Sequence, residues 1–111
     1  DLLTRNGRNA EAIEAYGHAR ALIPDDPNIA LNLGRLYARE KEMDKAVESL
    51  EAALRMEPAN LRARVLLGDL RLESGDAAAA AREYQQVLLE RPDWQDVRDK
   101  LTAAREKGTE K

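Results

Sequence analysis

Over residues 94–106, Trp94, Val97, Leu101 and Ala104 fall on one side of a helix, while Gln95, Asp96, Asp99 and Arg105 face away. Helical spacing of apolar against polar positions predicts further helices over 9–22, 27–40, 44–57, 61–74 and 77–91, with a short remnant over 1–6. The boundaries carry their own signals. Pro24, Pro58 and Pro92 each lie just past a helical run, where a missing N–H and a fixed φ stop the helix. Asp26 before Pro27 is a good N-cap with proline at the first helical position. Asp93 followed by Asp96 resembles a capping box opening the last helix. The alanine run Ala77–Ala81 reads as a strong helix start.

The whole arrangement returns after 34 residues. At that offset Ala12, Ala46 and Ala80 align, as do Tyr16, Leu50 and Tyr84, then Ala19, Ala53 and Val87, then the three prolines. Leu2, Leu36 and Leu70 coincide, Leu33 pairs with Leu67, and Gly34 with Gly68. Helices approach closely only where side chains are small, so Ala12, Ala46, Ala80, Gly34 and Gly68 are expected contact points beside Tyr16, Leu50 and Tyr84. Gly7 and Gly75 occupy one register position, with Lys41 between them in the series, and are expected in the tight turn within a helix pair.

These residues resemble the tetratricopeptide repeat, W-x2-L-G-x2-Y, then A-x3-F, then P. Leu33-Gly34-x2-Tyr37, Ala46-x3-Leu50 and Pro58 follow it in one unit. Leu67-Gly68, Gly75, Ala80-x3-Tyr84 and Pro92 follow it in the next, and Ala12-x3-Tyr16 with Pro24 match the second half of an earlier one. Ala30 and Arg64 stand in place of the tryptophan, and Arg71 in place of the tyrosine; arginine stems there cover apolar surface while the heads stay wet. The resemblance implies an all-α fold, a right-handed α-solenoid of antiparallel helix pairs, with about three repeats and a C-terminal capping helix. As a single domain over 1–111, it divides into a partial repeat 1–26, repeats 27–60 and 61–93, a capping helix 94–107 and a tail 108–111. The register enters partway through a first helix, and the chain starts at Asp1 without Met, so a segment of something longer is expected.

The family binds peptides or proteins in a concave groove lined by the first helix of each pair. On this chain that face gives Asn28, Leu31, Asn32, Arg35 and Arg39, then Arg62, Val65, Leu66, Asp69, Leu72 and Glu73, with Arg5 from the remnant. The implied groove has an apolar floor (Leu31, Val65, Leu66, Leu72) and a cationic side (Arg5, Arg35, Arg39, Arg62) suited to acidic and apolar partner segments. Chaperone adaptors of the family grip a C-terminal carboxylate; Asn32 and Arg62 match two of those places, while Leu66 and Asp1 depart from the pattern. The expected function is therefore a non-catalytic protein–protein interaction scaffold. A cytoplasmic chaperone-type adaptor is one alternative. Self-association is another, through the N-terminal end, where the face of helix 9–22 carrying Ile13 and Tyr16 is partly uncovered.

Composition narrows the field further. The chain is 43% hydrophobic but only 4% aromatic with no Phe, so Ala and Leu must fill the core. A net charge of −3 and a pI near 5.3 argue against nucleic acid as partner. Without cysteine there is no disulfide, thiolate nucleophile or Cys-ligated zinc, and His18 has no second histidine with which to share a metal. No phosphate loop or nucleophile elbow occurs, and the acid pairs Asp25-Asp26 and Asp93-Asp96 sit at helix starts, where they cap. No enzyme activity, cofactor or metal is expected. No apolar run approaches the ~20 residues that span a bilayer, and no signal peptide is visible, so no direct membrane insertion is expected. Arg outnumbers Lys 13 to 5 and Ala is abundant, which suggests a GC-rich bacterial genome. An envelope, secretion or exopolysaccharide-export assembly is the favoured setting, periplasmic first and cytoplasmic as the alternative.

Overall fold

The described residues fold as six helices in antiparallel pairs: α1 (Leu2–Leu22), α2 (Pro27–Arg39), α3 (Met43–Met56), α4 (Leu61–Glu73), α5 (Ala77–Glu90) and α6 (Gln95–Thr109). The computed structural model describes the backbone of residues 2–109 and the side chains of residues 7–108. No helix among these residues is long and apolar enough to cross a membrane. The chain forms two compact units, Asp1–Asn60 and Leu61–Lys111, divided in sequence between residues 60 and 61.

In the first unit α2 is flanked by α1 and α3. Asp26 starts α2 as its sequence suggests: its carboxylate accepts from the Asn28 amide at 2.9 Å, and Pro27 takes the first helical position. α2 buries Ile29, Ala30, Leu31, Leu33 and Leu36, and α3 buries Ala46, Leu50, Ala52 and Ala53. At Gly34 the two helices approach too closely for a side chain. A Cβ there would stand 2.8 Å from Leu50 Cγ and 3.4 Å from the Ala46 carbonyl oxygen.

The second unit repeats that contact with a larger partner. Tyr84 of α5 is fully buried, and a Cβ on Gly68 of α4 would lie 2.7 Å from its Cε1. Ala80, Tyr84 and Val87 of α5 join Val97, Leu101 and Ala104 of α6 in one core, with Leu61, Val65, Leu72, Ala81, Leu88 and Trp94 packed around it. α6 thus buries the apolar stripe expected of it and leaves Gln95, Asp96, Asp99 and Arg105 exposed. Asp76 caps α5, accepting from the Ala79 amide at 3.0 Å.

Two turns within pairs close in the same way. Lys41 (φ 62) and Gly75 (φ 93) adopt the left-handed conformation. The next amides, of Glu42 and Asp76, reach back to the Tyr37 and Arg71 carbonyls at 2.9 and 2.8 Å. This is the Schellman closure, which satisfies carbonyls left over at a helix end. Gly7, at the same register, does otherwise: α1 runs straight through it, so the expected turn there and residues 2–6 of the expected remnant lie in one continuous helix. No proline stops the chain at that point, and a mid-helix glycine costs only about 1 kcal/mol relative to alanine.

Two smaller corrections concern α6. It begins at Gln95, with the Trp94 carbonyl accepting from the amides of Val97 and Arg98, so Asp93 lies one residue outside the cap position the expected capping box needs. It also continues to Thr109, past the expected end at 106 and into the expected tail.

Candidate functional site

Residues of α1 and α2, both in the first unit, enclose an open recess of about 380 Å³. Arg8, Asn9, Ala12 and Tyr16 line it from α1, and Asn32, Arg35, Leu36 and Arg39 line it from α2. Helical geometry accounts for the grouping. Positions 32, 35, 36 and 39 share one face of α2, and 8, 9, 12 and 16 share one face of an α1 that stays helical through Gly7. The base is apolar: Leu36 is buried, and Ala12 and Tyr16 are half-buried. Above it stand three exposed guanidinium groups, Arg8, Arg35 and Arg39, with the half-buried amides of Asn9 and Asn32 between them.

Among the described residues no carboxylate lines this recess, and no ion pair joins Arg8, Arg35 or Arg39 to another described residue. Such a surface presents rigid donor forks that match carboxylate geometry, beside apolar area for a neighbouring side chain. Among the described residues its lining includes no carboxylate, histidine or cysteine. Among the described residues no three His, Cys, Asp or Glu side chains are grouped to hold a metal.

The residues expected to line a groove fall into several environments. Asn32, Arg35 and Arg39 meet at this recess. Asn28 is exposed in the first turn of α2 with its amide taken by Asp26, and Leu31 is buried and offers no open floor. Arg5 lies outside the described side chains. In the second unit Arg62 and Glu73 are exposed and Leu66 is half-buried, while Val65 and Leu72 pack on the core around Tyr84.

Asp69, expected to face a ligand, is engaged within its own unit. Its carboxylate accepts from the Tyr84 hydroxyl at 2.6 Å and from Lys100 Nζ at 2.9 Å on both oxygens. Burial, together with the hydrogen bond and negative charge of Asp69, raises the Tyr84 phenol well above its ordinary value of 10.0. Arg64, standing at the tryptophan position of the motif, is likewise partnered: it donates to Glu83 of α5 at 3.1 Å, both side chains being largely covered.

Sequence reasoning misses Arg8 and Asn9. A turn at Gly7 would leave Arg8 before the helix expected over 9–22 and Asn9 at its first residue, whereas the continuous helix carries both into line with Ala12 and Tyr16. His18 is exposed.

Small residues set against large ones across paired helices, every 34 residues, define a helical-repeat interaction protein. Residues 3–52 and 38–104 match the family model described as Tetratricopeptide repeat, and the chain belongs to that family of protein–protein interaction modules. Among curated proteins it is similar to the BBSome complex member BBS4 of Xenopus tropicalis, 33% identical over 87 residues. That alignment takes in 78% of this chain but only 17% of the relative's length. Among solved structures it is similar to the first TPR of Spaghetti (RPAP3) bound to the HSP90 peptide SRMEEVD. The TM-score is 0.88 at 20% identity, over 96% of this chain and 85% of that one. A thermophilic TPR protein of Thermus thermophilus gives a TM-score of 0.85 at 29% identity, over 94% of this chain and 53% of that one.

Proposed function

We propose that the chain is a non-catalytic recognition module that receives an acidic segment of a partner protein in the α1–α2 recess. The observation that carries this reading is the lining itself: among the described residues, three guanidinium groups and two amides over an apolar base, with no carboxylate, in a chain whose net charge is −3. A local cationic pocket on an acidic protein selects by charge contrast as well as by contact. The peptide held by the Spaghetti domain, SRMEEVD, has the same acidic and apolar chemistry.

Two settings differ in what they ask of this recess. A chaperone-type adaptor requires a free terminal carboxylate, and of its expected contacts Asn32 lies in the recess whereas Arg62 belongs to the other compact unit. A bacterial envelope, secretion or exopolysaccharide-export scaffold rests on the arginine- and alanine-rich composition alone, and it takes an internal segment equally well. The lining favours recognition of side-chain carboxylates, without need of a chain end.

Fluorescence anisotropy with labelled SRMEEVD, its C-terminal amide and a glutamine-substituted SRMQQVN tests the reading. Charge-assisted hydrogen bonds are worth about 1.5–3 kcal/mol, so Arg35→Glu with Arg39→Glu should weaken binding of the acidic peptides by at least about tenfold. The amide should bind as the free acid does, and SRMQQVN should bind poorly. Equal affinity of the wild type and the double variant for SRMEEVD would sink the proposal.

A further inference from the structure

The 34-residue period allows equivalent positions of the two units to be compared. Asn32 and Arg35 of α2 recur one period on as Leu66 and Asp69 of α4, and two periods on as Lys100 and Ala103 of α6. In the first unit this face carries an amide and an exposed guanidinium, both lining the recess. In the second unit the cation stands at Lys100, and the position of Arg35 holds a carboxylate, Asp69. Lys100 Nζ lies 2.9 Å from both oxygens of that carboxylate, and the Tyr84 hydroxyl donates to one of them at 2.6 Å. The side chains of Lys100 and Asp69 are 32% and 35% exposed, so solvent reaches the group they form.

An ammonium and a hydroxyl aimed at one carboxylate are the donors with which a protein takes a partner's acidic side chain. Here the chain supplies the acid itself. We propose that Asp69 is a specificity-determining residue: its built-in carboxylate fills the donor pair of Lys100 and Tyr84, and so confines acidic partner segments to the α1–α2 recess. The inference rests on the acid-binding reading of that recess and accounts for a second cationic position that does not share it. Among the described residues Lys100 has no ion-pair partner except Asp69. A partly exposed pair of this kind adds little to stability, but as an intramolecular ligand Asp69 is present at a concentration that no separate chain matches. The Tyr84 ring is locked in the core of its unit, so its hydroxyl stays aimed at the same place whichever carboxylate arrives.

Asp69→Ala removes the carboxyl group and leaves both donors. Formate is that group alone and should replace it. The urea midpoint of the Asp69→Ala chain should rise saturably with sodium formate and not with sodium chloride at equal ionic strength, while the wild type responds alike to the two salts. A variant that is unfolded on its own should regain its helical circular dichroism in formate. In this background SRMEEVD should move the amides of Tyr84 and Lys100 as well as those of Arg35 and Arg39, whereas in the wild type it moves only the latter pair. Adding Lys100→Gln to Asp69→Ala should weaken the added binding by at least about tenfold and leave binding at the recess unchanged.

If formate acts no differently from chloride on the variant, the donor pair is not a carboxylate site and the proposal falls. If formate restores stability but SRMEEVD still moves only the recess amides, Asp69 is not what confines the segment; the proposal falls while acid recognition stands. Shifts at Tyr84 and Lys100 in the wild type contradict it as well. Wild-type amides of Arg35 and Arg39 that stay unmoved would remove the acid-binding reading, and the confinement with it.

Discussion

The ring of Tyr84 fills the space that a side chain at Gly68 would need, its Cε1 standing 2.7 Å from the position of a Cβ. Alanine at residue 68 must therefore displace a fully buried ring in the middle of the second unit's core. Gly68→Ala should destabilise the protein by about 1–3 kcal/mol, the usual range for overpacking. Gly17→Ala is the matched control: it lies inside α1 with nothing within 4 Å of the new methyl, and it should stabilise by about 0.5–1 kcal/mol. Urea denaturation followed by circular dichroism distinguishes the two signs.

Tyr84 also makes stability depend on alkaline pH. Its folded-state pKa is raised above the ordinary 10.0, by burial first and by Asp69 second. Below pH 10 both folded and unfolded chains keep the proton, and the contribution is complete. Above it the unfolded phenol ionises while the folded one does not, so stability falls by about 1.4 kcal/mol per pH unit until the folded phenol itself ionises. Tyr84→Phe should remove this component of the alkaline loss and cost about 1–2 kcal/mol at neutral pH, since Lys100 still holds Asp69. Urea midpoints of both proteins between pH 8 and 11 check the slope.

Lys41 takes a backbone conformation that glycine takes at the equivalent Gly75. An L-residue there costs about 1–2 kcal/mol, of which glycine's extra freedom in the unfolded chain offsets part. Lys41→Gly should stabilise by about 0.5–1 kcal/mol, and Gly75→Ala should destabilise by a similar amount. Thermal melts of the two variants should move in opposite directions.

Asp76 closes the start of an alanine-rich helix that has no acid in its own first turn. Asp76→Ala should cost about 1 kcal/mol, and Asp76→Asn should keep most of it because the side-chain oxygen still accepts from Ala79. Hydrogen exchange at the first turn of α5 should accelerate only in the alanine variant.

Much of this architecture is legible in the sequence because each contact repeats. Gly34 against Leu50 and Gly68 against Tyr84 appear as small and large residues at fixed spacing, and a 34-residue period turns a weak local signal into a strong one. Gly7 shows the limit of that logic: register assigns it to a turn, but glycine permits a helix as readily as a stop, and α1 passes through. The candidate site is less legible. Face register groups Asn32, Arg35 and Arg39 on one side of α2, where the structure brings them to one recess, yet it cannot tell a half-covered position from a sealed one, and Leu31 is sealed. Asp69 reads as open in the sequence because its captor, Lys100, lies 31 residues away on another helix. Arg8 and Asn9 come into view only with the continuous helix.

The central claim is that the α1–α2 recess, and no other surface, receives the acidic partner. Backbone amide shifts of the 15N-labelled chain, recorded while SRMEEVD is titrated in, test it most directly. The account predicts saturable changes at Arg8, Tyr16, Asn32, Arg35 and Arg39, with the amides around Asp69 and Lys100 unmoved. Changes centred on Arg62 and Leu66, or none at millimolar peptide, would contradict it.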